Sequence, residues 1–367
     1  MEGYTSYKND TLCSGTHLTA DLDKIRYNAA KTAELCRAHG IAPVAVTKGF
    51  AADPAIVRAI VDGGIEKLAD ARVENVRKLR EAGFDNHMTL IRIPMLSQAD
   101  EVVSLCECSL VSELRTMEAL SEAALKQGKT HEVVLMIDVG DLREGVFPEE
   151  APALMEAAME LPGICVAGVG SNVGCYGGVV PSEENIKALC DTAEELSSIA
   201  GHPLETVSGG ATSALTMMAA GSLPKAVNQL RVGEGIILGT DSVNGIDIPW
   251  LKGDAFILRA EIIELSSKPT VPIGKRGSFH FGEKKEFTDR GIRRRAIVAL
   301  GEQDVPASGV MPVDPDITIL GASSDHMILD VEDSAGSFEV GGLIDLRLDY
   351  HGLLGAFTSG YIPKVYL

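Results

Sequence analysis

The chain has 367 residues, enough for two domains, because a single hydrophobic core stops growing near ~250–300 residues. Its 45% hydrophobic and 23% charged residues are typical of a globular protein, and no apolar run reaches the ~18 residues of a membrane span. The 33 basic and 52 acidic residues give a net charge of −19. This charge argues against nucleic acid as a partner, since phosphates would be repelled.

The first residues lack the basic and then apolar pattern of a secretory signal, so we expect a cytoplasmic protein. The cysteine pattern agrees with a reducing compartment. Cysteines are odd in number and irregularly spaced, which favours reduced structural thiols over a disulfide framework or a metal site. They stand at positions 13, 36, 106, 108, 165, 175 and 190.

From about residue 20 to 240, short apolar runs alternate with amphipathic helical patterns. Strands are predicted at 44–47, 67–69, 88–91, 109–111, 132–138, 165–169, 204–207 and 228–231. Helical patterns include 55–62, 73–82, 113–127, 150–160 and 183–198. Strands alternating with helices over ~220 residues are typical of a (β/α)8 barrel, whose active site forms at the carboxyl ends of the strands.

Lys48 follows the first predicted strand. Most lysines at strand ends are solvated caps. If the strand faces a cavity, however, desolvation would lower the pKa of the amine and make it a nucleophile toward an aldehyde. Lys48 is therefore a candidate whose meaning depends on its neighbours at the barrel end.

A glycine-rich turn ends the seventh predicted strand and opens a helix. In this turn Gly209 and Gly210 would let the backbone approach a ligand, and the hydroxyls of Ser208, Thr212 and Ser213 could donate hydrogen bonds. Together with the partial positive charge of a helix N-terminus, these groups suit a phosphate. Glycine-rich turns also occur in barrels without any ligand.

Two arginines belong to the same barrel end. Arg231 ends the last strand, and either a ligand or a structural carboxylate would explain it. Arg143 follows the fifth strand, where a nearby Asp or Glu could equally satisfy it. A reactive amine, a phosphate cradle and an arginine on the next strand together fit pyridoxal 5'-phosphate, which requires a lysine, a phosphate site and a group facing its ring nitrogen.

After residue 249 the helical period fades and strand-length runs appear at 255–265, 295–300, 317–320, 326–331 and 343–348. We therefore predict three parts: a segment 1–20 that packs on the second domain, a barrel over 21–245, and an all-β domain over 246–367.

In these motifs the chain resembles the alanine racemase family, the fold-type III pyridoxal-phosphate enzymes. The likeness covers nearly the whole chain. Its barrel motifs begin at Ala45, Leu68, Gly140, Cys175, Ser208 and Leu230. Segments 287–293 and 321–326 point to the ornithine-type branch of the family.

The resemblance implies an amino-acid racemase that binds pyridoxal 5'-phosphate covalently through Lys48, which also serves as one acid/base. Tyr350 would help the glycine-rich turn to hold the phosphate, and Arg231 would face the ring nitrogen. A permanent guanidinium charge there keeps that nitrogen unprotonated, which favours racemisation over transamination. Arg143 would bind near the cofactor oxygen or the substrate carboxylate.

Racemisation needs proton donors on both faces of Cα. The family's second base is a tyrosine from the partner subunit, but this chain has Lys275 at that place, and Met136 replaces a lysine that is carbamylated in some members. Candidates for the opposing base are His326, Asp325, Lys275 and Tyr350, with His326 and Asp325 ranked first.

The terminal ammonium of a basic substrate would be held by Asp325 or Asp289, and Ser324 is a further candidate substrate contact. The expected enzyme is a homodimer with shared active sites acting on ornithine or another basic amino acid. Three alternatives remain open: an alanine or broad-specificity racemase, a pyridoxal-phosphate homeostasis protein without turnover, and a metal-dependent lyase similar to D-threonine aldolase.

Overall fold

The computed structural model describes residues 15–275, 277 and 286–367. Residues 1–14 of the predicted N-terminal segment, including Cys13, lie outside the described residues. The described chain forms two compact units. One consists of Asp21–Ala255, and the other combines the residues through Ala20 with Phe256–Leu367.

The first strand of the chain, β1 (His17–Ala20), belongs to the second of these units. The next eight strands close a parallel barrel, in which the last strand pairs with the first and Gln229 lies opposite Ala42. They are β2 (Ala42–Val46), β3 (Lys67–Asp70), β4 (Met88–Leu90), β5 (Cys108–Val111), β6 (His131–Met136), β7 (Ile164–Gly170), β8 (Thr206–Ser208) and β9 (Gln229–Val232). The predicted (β/α)8 barrel is confirmed.

Helices connect the strands and cover the outside of the barrel. They are α1 (Leu22–Ala38), α2 (Pro54–Asp62), α3 (Val73–Glu81), α4 (Ala99–Leu105), α5 (Leu114–Lys126), α6 (Ala151–Met159), α7 (Glu183–Ala200), α8 (Thr212–Ala219) and α9 (Glu234–Leu238). Several begin at side-chain caps: Asp21 accepts from the Lys24 N–H at 3.0 Å, and Asp53 accepts from the Ala55 N–H at 3.0 Å. Such caps satisfy backbone donors that the first helical turn leaves without a partner.

The barrel unit runs ten residues beyond the boundary proposed from sequence at 245. Here the chain makes a hairpin, β10 (Thr240–Asp241) with β11 (Ile246–Asp247), and returns to α1. The buried Asn28 side chain donates to the carbonyls of Ile236 and Lys252 at 3.0 and 2.9 Å and accepts from the Lys252 N–H at 2.7 Å. These contacts attach the segment to the barrel.

Besides β1, the strands of the second unit are β12 (Phe256–Pro269), β13 (Ile292–Val298), β14 (Val310–Pro312), β15 (Thr318–Ala322), β16 (Met327–Asp330), β17 (Leu343–Leu348) and β18 (Lys364–Tyr366). They form an antiparallel sheet in the order β14-β17-β12-β13-β16-β15, and β1 pairs antiparallel with β12 and parallel with β18. The unit also contains a helix, α10 (Tyr350–Thr358), where the sequence analysis expected only strands. In this helix Gly352 packs so tightly on Gly309 that a Cβ would lie 2.1 Å from the Gly309 carbonyl oxygen. The helix α10 is therefore closely packed against another segment, although its sequence shows no helical pattern.

The six cysteines among the described residues are outside any disulfide. Within the same described ranges, no helix combines the length and apolar character needed to cross a membrane.

Candidate active site

Lys48 opens a short 3-10 turn, Lys48–Phe50, directly after β2. Thr47, the residue before this turn, is hydrogen-bonded to the neighbouring strand β3. Its N–H donates to the Ala69 carbonyl at 2.8 Å, and its hydroxyl donates to Asp70 at 2.5 Å. The two residues after the turn, Ala51 and Ala52, both have φ of 49°. This left-handed conformation costs roughly 1–2 kcal/mol per alanine. The lysine therefore lies on a tightly held, locally strained turn at the carboxyl end of the barrel.

The environment of Lys48 lowers the pKa of its amine. Burial is the main cause, and the charge of Arg143 acts in the same direction. An ionised Cys175 and the carboxylates of Asp70 and Glu144 oppose the shift. Because the lowered pKa leaves more of the neutral amine near pH 7, Lys48 is suited to nucleophilic attack on an aldehyde.

Asp70 is the buried acidic group beside this turn. Besides Thr47, it accepts from the Arg72 N–H at 2.9 Å and from the Asn75 amide at 3.0 Å. Burial raises the pKa of Asp70, and these hydrogen bonds work against the rise. Its contacts connect the ends of two strands, so Asp70 fixes the position of the lysine turn.

The glycine-rich turn lies between β8 and α8, as the sequence predicts. A Cβ on Gly209 would lie 2.6 Å from the Val227 side chain, and Gly210 has φ of +119°. The N-cap residue Ala211 supplies no side-chain cap. Its carbonyl accepts from the Ala214 N–H at 3.0 Å, so the N–H groups of Thr212 and Ser213 are the ones that helix geometry leaves without an intrahelical acceptor. Ser213 is 3% exposed, and its buried hydroxyl has no hydrogen-bond partner among the residues that the structure describes. Unused donors around a glycine turn fit a phosphate group.

Thr212 has a different neighbour. Its hydroxyl accepts from the Gly235 N–H at 3.2 Å, which joins the start of α8 to α9. Since that oxygen accepts, its proton remains available to donate to a ligand.

Arg231 is 5% exposed and lies on β9. It donates to the Ser208 hydroxyl and, at 2.6 Å, to the Ser171 carbonyl. Both acceptors are neutral oxygens. Among the described residues, Arg231 is therefore held by these groups and not by the structural carboxylate that the sequence analysis considered. Burial lowers the pKa of Arg231 to about 10, which still leaves the guanidinium charged at neutral pH.

Arg143 lies in the loop after β6 and is the centre of a second polar cluster. Its guanidinium contacts the Glu144 carboxylate through two nitrogens and donates to the Cys175 sulfur at 2.6 Å. With the Asn172 amide oriented so that both groups are satisfied, its oxygen accepts from Arg143 at 2.8 and 3.1 Å. The predicted alternative of a nearby acidic partner is thus correct for Glu144. Arg143 also acts on the pKa of Lys48, so the two belong to one site.

Some of these groups were not assigned by sequence reasoning. Glu144 and Cys175 stand in motifs that the sequence analysis identified, and Asn172 lies shortly before the second of these motifs. Their convergence on Arg143 depends on the paths of two loops. In the same region, the hydroxyl of Ser171, a residue that is 0% exposed, lacks a hydrogen-bond partner within the described part of the chain. The sequence feature that could have pointed to Ser171 is its position directly after a buried strand.

The remaining candidates lie in the second unit. Residues 324–326 form the connection between β15 and β16, where the Gln303 amide donates to Asp325 at 3.3 Å and both Asp325 and His326 are exposed. Asp289 is exposed and accepts from the Gly291 N–H at 3.0 Å. Tyr350 is the first residue of α10, and Lys275 is exposed. Ser324 shares a turn with Asp325 and His326, whereas Asp289 and Tyr350 lie on other segments.

Within the described parts of both units, no group of three or more His, Cys, Asp or Glu side chains is arranged to hold a metal ion.

Comparison with known proteins extends these observations to nearly the full chain. An ornithine racemase of Acetoanaerobium sticklandii is 41% identical over 348 residues, 95% of this chain and 98% of that protein. A lysine racemase of Thermotoga maritima is 42% identical over 349 residues, again 95% of this chain and 98% of the relative. The crystal structure of an alanine racemase from Streptomyces lavendulae matches with a TM-score of 0.75 and 21% identity, covering 97% of this chain and 98% of that one.

The structural similarity supports the fold, and the two sequence relatives span both units of the chain. Residues 20–241, which include every strand of the barrel and the clusters around Lys48 and Arg231, match the family described as alanine racemase, N-terminal domain. The chain belongs to this alanine racemase family.

Proposed function

We propose that this protein is a pyridoxal-phosphate-dependent racemase that interconverts the L and D enantiomers of a basic amino acid, ornithine or lysine. The supporting observation is the similarity over 95% of the chain to an ornithine racemase and a lysine racemase. Their substrates share a terminal ammonium, which distinguishes them from alanine. The cofactor of the family is pyridoxal 5'-phosphate.

When bound, pyridoxal 5'-phosphate supplies an electron sink for the Cα carbanion. The residues of this chain would do the rest. Lys48, with its lowered pKa, would bind the cofactor covalently and carry a proton to or from one face of Cα. The turn containing Gly209, Gly210 and Ser213 would hold the phosphate, where a buried hydroxyl otherwise lacks a partner.

The two arginines would have separate tasks. Arg231 would place a fixed positive charge against the ring nitrogen, because its buried guanidinium stays charged at neutral pH. Arg143 would bind the substrate carboxylate, which would replace one of its present acceptors, because the guanidinium now donates to Glu144, Asn172 and Cys175. A guanidinium can hold a carboxylate with two parallel hydrogen bonds.

Specificity for a cationic side chain requires an acidic group near the end of the substrate. Asp325 and Asp289 are the candidates from the sequence, and both roles remain proposals, as does the phosphate contact of Tyr350. A homodimer is also proposed. The exposed side chains of Leu142 (64%) and Tyr176 (78%), on two loops at the carboxyl end of the barrel, suit coverage by a second copy. A cytoplasmic location remains a prediction.

The test uses the purified, cofactor-loaded protein with L-ornithine, L-lysine and L-alanine in separate reactions, followed by chiral chromatography. We expect D-ornithine or D-lysine to form with a kcat/KM at least ~10-fold above that for alanine, a difference of about 1.4 kcal/mol. Faster turnover of alanine would contradict the substrate class. A coloured protein inert toward every amino acid would favour the homeostasis alternative. Cleavage of D-threonine that EDTA abolishes would favour the lyase.

A further inference from the structure

The Cys175 side chain lies in the loop after β7 and is exposed. Its sulfur accepts a hydrogen bond from Arg143 at 2.6 Å. When ionised, Cys175 is also the strongest influence on the pKa of Lys48 after burial. The thiol therefore belongs to a cluster with Lys48, Arg143 and Glu144 and is not an isolated surface cysteine.

The loop that carries Cys175 is held in place by a buried carboxylate. Asp141, 1% exposed, accepts from the N–H groups of Cys175 at 3.3 Å, Tyr176 at 3.0 Å and Val179 at 3.4 Å. A Cβ on Gly177 would lie 2.7 Å from the Asp141 carbonyl oxygen, so the loop and this acidic residue are closely packed. Three hydrogen bonds to one carboxylate pre-organise the backbone around the sulfur.

Two buried hydroxyls in or beside this loop have no hydrogen-bond partner among the described residues, and they suggest where a ligand would bind. The first is the Oγ of Ser171, which is in the loop itself. A Cβ on Gly174 would lie 3.4 Å from the Ser213 Oγ, the second unpartnered hydroxyl. Buried hydroxyls without partners are costly unless a ligand completes them. Cys175 thus follows directly on a segment that borders the proposed phosphate site.

We propose that Cys175 is the acid/base opposite Lys48 in the racemisation. This assignment rests on the proposed function, in which Arg143 binds the substrate carboxylate. The carboxylate carbon is bonded directly to Cα, so with the carboxylate on Arg143 the sulfur that contacts this arginine would lie near the carbon that loses its proton. Cys175 and Lys48 follow two different strands of the barrel, which allows them to approach Cα from different sides.

The proton balance is simple. In one direction the Cys175 thiolate takes the Cα proton and becomes a thiol, while the electron pair of the C–H bond stays with the substrate. The Lys48 ammonium then gives a proton to the other face of Cα and becomes a neutral amine. The reverse reaction exchanges the two roles, so one proton leaves and one arrives in each turnover.

The experiment measures Cα–H exchange in D2O separately for the L and the D enantiomer of ornithine and lysine, using C175S and C175A. We expect racemisation to fall ~100-fold or more, in line with the loss of one general acid/base. One enantiomer should still exchange its Cα–H through Lys48 without inversion, and the other should stop exchanging. A purely structural role of Cys175 would slow both exchanges equally.

The matched control is C165S, because Cys165 is an exposed cysteine at the other end of the same loop's strand, β7. It should racemise and exchange like the wild type. D325N and H326Q are measured in parallel. The proposal for Cys175 would be overturned if D325N or H326Q lost exchange of only one enantiomer. In that case C175S and C175A would show exchange of the two enantiomers that is either unchanged or equally reduced. A wild-type protein that neither racemises nor exchanges any amino acid would instead overturn the proposed function.

Discussion

The two ends of the barrel treat buried polar groups in opposite ways. Near the amino ends of β5 and β6, the Ser109 hydroxyl and the His131 Nε2 form a 2.8 Å hydrogen bond, and both residues are buried. Near the carboxyl ends of β7 and β8, the hydroxyls of Ser171 and Ser213 are buried and have no hydrogen-bond partner in the described ranges. A hydrogen-bonded pair stabilises the fold, whereas buried groups without partners reduce stability until a ligand forms hydrogen bonds with them. The comparison predicts that changes at one end alter folding and changes at the other alter ligand binding.

The largest expected effect is at the carboxyl end. Lys48→Ala should reduce racemisation at least ~10⁴-fold, because it removes both the covalent attachment and one acid/base. The free energy of unfolding of the cofactor-free protein should change little by comparison. Lys31→Ala is the control, since Lys31 pairs with Glu34 on the outside of α1. Chiral chromatography and urea unfolding measure the two quantities. Turnover at the wild-type rate in Lys48→Ala would contradict the assignment of ligand binding and catalysis to the carboxyl end.

His131 gives the largest effect at the amino end. Burial lowers the pKa of His131 to about 4 from the ordinary 6.5. Between these values the unfolded chain binds the extra proton, so stability should fall as pH falls from 6.5 to 4, by about 3 kcal/mol. Urea unfolding at several pH values, compared with His131→Gln, isolates this contribution. An equally steep pH dependence in the variant would show that other groups cause it.

Ser213→Ala tests the unpartnered hydroxyl at the carboxyl end. A lost hydrogen bond to a charged phosphate corresponds to about 1.5–3 kcal/mol, so the cofactor should bind ~10–100-fold more weakly. The cofactor-free variant should be as stable as the wild type or slightly more stable, because an unsatisfied buried group has been removed. Cofactor titration and urea unfolding measure both. Unchanged cofactor affinity would place the phosphate elsewhere.

Ser109→Ala is the counterpart at the amino end and has the smallest expected effect. It leaves the buried His131 Nε2 without its partner, which should reduce the free energy of unfolding by about 1–2 kcal/mol. Cofactor affinity should remain at the wild-type value. A variant that loses affinity but keeps stability would contradict the division between the two ends.

Much of the barrel was predictable because buried parallel strands are short, continuous apolar runs. The predicted strand at 44–47 corresponds to Ala42–Val46, and the helix predicted to open from the glycine-rich turn begins at Thr212. The extent of the barrel unit was not predictable, since residues 246–252 join it through Asn28, which lies over 200 positions away. The helix α10 contains Gly352 and Gly355, whose poor helix propensity hid it.

The site was predictable where one residue carries the chemistry at a strand end, as for the positions of Lys48 and Arg231. It was not predictable where separate loops meet. The contacts of Arg143 with Asn172 and Cys175 join residues about thirty positions apart. Asp141, which orders the Cys175 loop, reads in the sequence as an ordinary loop acid.

The proposed chemistry requires one covalent bond above all, between the cofactor and the Lys48 amine. Borohydride reduction of the loaded protein makes the bond between lysine and cofactor permanent, and peptide mass mapping then locates it. We expect the cofactor on the peptide that contains Lys48 and nowhere else. Attachment to any other lysine, or a protein that retains no cofactor after reduction, would contradict the account.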